Sequence, residues 1–203
     1  MKALSPAVAT ALLAFVWAPL PCRGQSGAKQ ATSAPEPLQT LTRALAGKWQ
    51  LDVRFEATPS TGNKLITGSG EESWSAGPGG ITVIEQEHLL ASPSGDTFLM
   101  GVIWWDKTRD HLGGVECNSS LPGTCDLKGG LNDITISWDG KRFQIDELET
   151  HDGRHTVWHE YWTDITPDSF TQTGDVTQPD GTTRRFMTVH GRRVKELKTI
   201  GAE

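Results

Sequence analysis

The residues of this chain best suited to chemistry are polar groups set into the middle of alternating segments. Over Ile81–Leu89 the order Glu85-Gln86-Glu87-His88 interrupts an apolar run. With a period of two, Glu85 and Glu87 share one face and Gln86 and His88 the other. Whichever pair faces a core needs partners or water. An inward acid there is a candidate ligand contact, or a proton acceptor with a raised pKa. A second group lies in Arg154–Asp164, where Trp158, Glu160 and Trp162 fall on one face. It reads either as an aromatic-walled cavity holding an acid or as plain packing, since a buried Trp removes a large apolar area from water. Trp104 and Trp105 are adjacent, so only one of them can line an interior. The groups to locate are therefore Glu72, Glu85, Glu87, His88, Glu160 and Arg185, with Trp104, Trp158 and Trp162 open between packing and ligand contact.

The six histidines raise metal and haem chemistry. His151, His155 and His159 fall four apart in a segment that alternates like a strand, where such residues lie about 13 Å from one another, too far to share one ion. No metal site or cofactor is expected. Haem asks for a single axial histidine, so His88, His111, His159 and His190 stay open individually, with surface or hydrogen-bonded roles favoured. No Ser-His-Asp or Cys-His grouping, phosphate-cradling glycine loop or paired-carboxylate motif stands out. Cys117 and Cys125 flank a short loop containing Asn118, Pro122 and Gly123. In an exported protein that spacing is read as a disulfide.

The elements that position these groups begin at residue 38. Leu38, Leu41 and Leu45 share a helical face, and Gly47 stops the helix. From Trp49 the period becomes two, with Trp49, Leu51, Val53 and Phe55 on one side. Turn signals then separate further strands: Leu65–Trp74, Ile81–Leu90, Thr97–Trp105, His111–Cys117, Ile134–Trp138, Phe143–Leu148, Arg154–Asp164, Ser169–Val176 and Thr182–His190. Asp139-Gly140 between the sixth and seventh is the strongest hairpin signal. About ten strands joined mostly by short turns predict an all-β, up-and-down antiparallel barrel with a short N-terminal helix.

Met1-Lys2, the apolar run Ala7–Trp17 and the small residues before Gln25 read as a secretory signal peptide over 1–24, too short for a stable membrane span. A lipoprotein anchored at Cys22 is the alternative, and Pro21 fits its signal poorly. Residues 25–37 read as a flexible leader, 38–193 as the barrel domain and 194–203 as a charged tail. The leader holds Lys2 and Arg23, so the mature chain carries 17 basic against 25 acidic residues, a net charge of −8. That sign argues against a nucleic-acid partner.

Three stretches carry a resemblance: Leu45-Ala46-Gly47-Lys48-Trp49, Gly101 through Leu112 with its Asp-led turn, and Asp164 through Gly174 followed by a Pro-Asp-Gly turn. On these the domain resembles a bacterial lipocalin-like family of the calycin group. The resemblance implies a barrel able to enclose one small ligand, and no agreed activity or site residue to carry over. The expected function is binding of a small apolar or amphipathic molecule by an exported, periplasmic or secreted, barrel. The alternatives are a haem-binding barrel, an isomerase or cyclase using an inward Glu or His, and an envelope interaction protein whose barrel is filled by its own side chains and whose outside carries an apolar patch.

Overall fold

The computed structural model describes residues 34–119, 134–151 and 154–195, all within the compact unit Thr32–Glu203. The predicted signal peptide, most of the leader, Cys125 and the end of the tail lie outside these residues. One helix, α1 (Glu36–Leu45), precedes ten strands: β1 (Gly47–Phe55), β2 (Ile66–Ala76), β3 (Thr82–Ser92), β4 (Gly95–Asp106), β5 (His111–Asn118), β6 (Ile134–Trp138), β7 (Phe143–His151), β8 (Arg154–Thr163), β9 (Ser169–Thr177) and β10 (Thr183–Arg193). Each strand pairs antiparallel with its neighbour in sequence, and β1 pairs with β10 to close the barrel. Closure satisfies the backbone donors and acceptors that two free edges would expose. The all-β, up-and-down barrel read from the alternation is the observed fold.

The period-two pattern of β1 is realised without exception, with Trp49, Leu51, Val53 and Phe55 buried and Lys48, Gln50, Asp52 and Arg54 exposed. In α1, Glu36 in the first turn and Arg43 in the last complement the helix dipole. Leu38, Leu41 and Leu45 are buried and join the side chains that fill this end of the barrel. The helix ends at Ala46, and Gly47 follows with a φ of +134°, a conformation L side chains rarely adopt. A Cβ there would also strike the guanidinium of Arg193. That guanidinium donates to the carbonyls of Ala46 and Ala44 at the helix C-terminus and to Pro167 in the β8–β9 turn, and stacks 4.0 Å from the Trp49 ring. Residue 193 at the end of the last strand thus holds the first helix in place, a long-range version of a cationic C-cap.

Small residues face large ones across the barrel wall. Gly191 is the register partner of Phe170, whose ring occupies the space a Cβ on Gly191 would need. Gly114 likewise accommodates Ile136. The lumen therefore divides into two layers. At the end covered by α1, the apolar residues Trp49, Trp74, Phe143, Trp162, Phe170 and Ile103 interlock, with Trp74 edge-on to both Phe143 and Trp162. Toward the opposite end, near the β1–β2 and β3–β4 connections, the described residues leave the lumen open as a cavity.

Candidate functional site

Parity along each strand places five glutamates around the open half. Glu85 and Glu87 follow Val83 inward on β3, Glu116 follows Leu112 and Gly114 on β5, Glu147 follows Phe143 and Ile145 on β7, and Glu160 lies between Trp158 and Trp162 on β8. Together they line a cavity of about 290 Å³. Its apolar wall includes Phe55, Leu89, Leu99, Trp158, Phe186 and Met187. Gly101 makes room for an acid, since it pairs with Glu85 and a Cβ there would lie 2.7 Å from its Oε2, while Gly174, opposite Glu160, accommodates the Met187 side chain. Ser60, Trp158 and Phe186 border both this cavity and an outer groove that runs past Asp180, Arg184 and Arg185.

Burial of the acids is deep. Glu72, Glu85 and Glu87 are 2%, 3% and 8% exposed, and Gln172 is 2% exposed. Glu72 pairs in register with Glu87 and sits where the glutamate layer meets the tryptophan layer. Neither of its oxygens has a hydrogen-bond partner in full geometry, and the indole N–H groups of Trp74 and Trp162 are likewise unpartnered. Glu85 and the two indoles nevertheless lie close enough to favour the ionised form of Glu72, and the charge of Glu160 opposes it. Loss of water dominates, and the Glu72 carboxyl is pushed up to about 7. Glu160 is also pushed up to about 7, chiefly by burial, with a lowering contribution from Gln172, whose amide Nε2 donates to Glu160 Oε2 at 3.1 Å. Burial first, and then the mutual repulsion of the acids, raises Glu85, Glu87 and Glu116 well above the ordinary carboxylate range. A carboxyl titrating near neutrality beside open space is what an acid–base role requires, and Glu160 meets that condition.

Of the residues singled out in the sequence, Glu85, Glu87, Trp158 and Glu160 come together on the cavity. Trp162 lies beneath it in the apolar layer. The other three do not join them. Trp104 is on the outer face, because Ile103 takes the inward parity and the indole packs over Gly113. His88 is also outside, stacked on Phe98 with ring centroids 4.1 Å apart. Arg185 stands at the rim, held by both carboxylate oxygens of Asp175. Trp49 and Trp138 pack as expected, their indole N–H groups donating to Leu45 O and Thr40 Oγ1.

No histidine lines the cavity among the described residues. His159 faces outward between Asp146 Oδ1 at 2.7 Å and Thr177 Oγ1 at 3.0 Å. Among the described residues this cavity wall thus presents no axial histidine to a haem. The rival with a filled barrel asks for an interior packed solid, whereas the described residues leave a cavity of about 290 Å³. Its other requirement, an apolar patch outside, is met in part, because Leu90, Phe98 and Met100 are exposed on the outer faces of β3 and β4. Sequence reasoning missed Glu116, Glu147 and Gln172. The parity of Gly114, Ile145 and Phe170 two positions earlier was the signal that points to each.

No family model matches the chain, and no curated protein matches it. Among solved structures the chain is similar to Rv2717c from M. tuberculosis, with 12% identity and a TM-score of 0.53, over 80% of this chain and 100% of that one. An S-type phycobiliprotein lyase from Guillardia theta aligns with 13% identity and a TM-score of 0.48, over 79% of this chain and 94% of that one. A redesigned β-barrel aligns with 12% identity and a TM-score of 0.40, over 81% and 100%. At such identities the likeness is one of fold alone, that of an antiparallel β-barrel.

Proposed function

We propose that this barrel binds a small amphipathic molecule in its open half, without covalent chemistry. The observation that carries the reading is the cavity of about 290 Å³, in which an aromatic and aliphatic wall faces a polar one. That combination of an apolar lining with a few convergent polar groups is how small-molecule sites are built. The test is calorimetric titration with a panel of fatty acids, aromatic acids, aromatic alcohols and aromatic amines. A Leu99→Trp variant serves as the control, because its indole would fill the cavity. At least one compound is expected to bind the wild type and to lose at least about tenfold in affinity, roughly 1.4 kcal/mol, with the variant. If nothing binds, or if Leu99→Trp binds equally well while still folded, the barrel is not a receptor for such molecules.

The proposal includes export and cleavage near Gly24, supported by the apolar run and small residues of the leader. An oxidised Cys117–Cys125 bridge belongs with it. Cys117 lies near the end of β5 beside the open half, and Cys125 is outside the described residues. The chain-entropy relation gives about 2.5 kcal/mol for closing so short a loop. Mass measurement of the exported protein with alkylation before and after reduction is expected to show two thiols only after reduction. Two thiols labelled without reductant would refute the bridge.

A further inference from the structure

The ionisable groups of the cavity's lining are all acids. Glu85 and Glu87 enter it from β3, Glu116 from β5, Glu147 from β7 and Glu160 from β8. The residues that β1, β4, β9 and β10 contribute are uncharged, and no Lys, Arg or His lines the cavity among the described residues. Glu72, buried below, adds a sixth acid from β2. Arg185, the nearest cation identified from the sequence, is engaged outside by Asp175.

A second, independent feature points the same way. Gln172, 2% exposed, donates its amide N–H to Glu160 and thereby fixes which end of the amide is which. Its Oε1 is left in the cavity wall as a buried acceptor with no donor. Unsatisfied buried acceptors are uncommon in native proteins and call for a partner. Above it, the rings of Trp158 and Phe186 meet edge-on with centroids 5.3 Å apart and flank the entrance. Aromatic rings of this kind attract cations through the negative potential of their faces.

From the carboxylate lining, the unmatched Gln172 acceptor and the aromatic entrance, we infer that the ligand class is a protonated amine carrying an apolar body. Its ammonium N–H groups reach the Gln172 and Glu160 oxygens, and its apolar part lies against Trp158, Phe186 and Leu99. Such a ligand donates to several acceptors at once, where an alcohol donates a single proton and a carboxylate none. The acidic chain, −6 overall, attracts it at long range. Because burial favours the protonated form of Glu160 toward neutral pH, the incoming cation displaces its proton into solvent. The affinity of an amine therefore climbs as pH rises toward 7 and levels off above it, where Glu160 is already ionised.

This inference rests on the binding reading, and its test separates the two. Phenethylamine, 2-phenylethanol and 3-phenylpropionate are similar in size and differ in charge. In calorimetric titrations of the mature protein, phenethylamine is expected to bind at least about tenfold more tightly than either at pH 7, through charge-assisted hydrogen bonds. Its affinity is expected to rise about tenfold from pH 5.5 to 6.5, with about one proton released per amine as counted in two buffers of different ionisation heat. Glu160→Gln should remove most of this pH dependence and narrow the amine's advantage over 2-phenylethanol, with melting curves confirming that the variant folds. Equal or tighter binding of the alcohol or the acid, or amine binding without proton release, overturns the cation assignment. So does failure of all three while a panel compound that is not an amine binds and is blocked by Leu99→Trp, and in that case the binding reading survives. If the whole panel fails, both fall.

Discussion

The melting temperature of this barrel is expected to rise by about 10 °C between pH 8 and pH 5. The cause is Glu72, an ordinary glutamate in the unfolded chain, where it ionises near 4.5, but held to about 7 in the fold. Between those values the native state keeps a proton that the unfolded state has released. The stabilisation is therefore complete below about pH 4.5 and is lost as pH rises through about 7. The difference corresponds to about 3 kcal/mol, and each kcal/mol moves the midpoint of a domain this size by roughly 2–4 °C. Glu85, Glu87 and Glu116 shift in the same direction and extend the loss to higher pH. Glu160 borders the open cavity, where solvent screens its charge, and contributes less.

Further acidification reverses the trend. Hydrogen bonds from Thr108, from the Arg142 and Lys141 backbone, and from Thr182 hold Asp106, Asp139 and Asp180 below the usual aspartate range. Their contribution is present above about pH 4 and is lost below it. The optimum thus falls near pH 4–5. Glu72→Gln replaces the ionisable group by a neutral one of the same shape. It is expected to stabilise the protein at pH 8 by about 3 kcal/mol and to change little at pH 4.5. Urea titrations at the two pH values check both statements. A flat profile, or a variant whose profile matches the wild type, would show that Glu72 is not buried as described.

Truncating Trp49 should have the largest destabilising effect. The ring is fully buried, edge-on to Phe170 with centroids 4.8 Å apart, beneath the Arg193 guanidinium, and its N–H donates to Leu45 O at 2.9 Å. It therefore ties α1, β1, β9 and β10 to one another. Trp49→Ala is expected to cost about 4 kcal/mol through the cavity left behind. Trp49→Phe retains the aromatic contact, loses the hydrogen bond and should cost about 1–2 kcal/mol. Equilibrium urea unfolding measures both. A loss below about 1 kcal/mol for Trp49→Ala would mean that the helix and the barrel end are not coupled through this ring.

The strands and their order were legible because each interior position repeats every second residue, as in Trp49, Leu51, Val53 and Phe55. Inward glutamates obey the same rule, so Glu85 and Glu87 could be paired correctly before their direction was known. What alternation cannot supply is absolute direction where both parities contain plausible core residues. Trp104 and Trp105 are one such pair, and Ile103, not either indole, decided it. His88 has the opposite parity to Glu85 and Glu87, and it faces out with Gln86. An acid following an inward residue, such as Glu147 two after Ile145, carries no apolar signal that separates it from a solvated charge. The meeting of five glutamates from four strands depends on register between strands distant in sequence, which no single segment records.

The pairing of β1 with β10 also bears on how the molecule comes into being. Trp49 lies opposite Arg193, so the first strand waits for the last before its hydrogen-bonding edge is covered. Contacts of such long sequence separation make for slow folding. A nascent or truncated chain ending before Thr183 would present two unpaired edges, at β1 and β9, each a template for pairing with another chain. Aggregation of C-terminal truncations, and the time at which the glutamate ring is sealed from water, are then set by the same event, the arrival of the final strand.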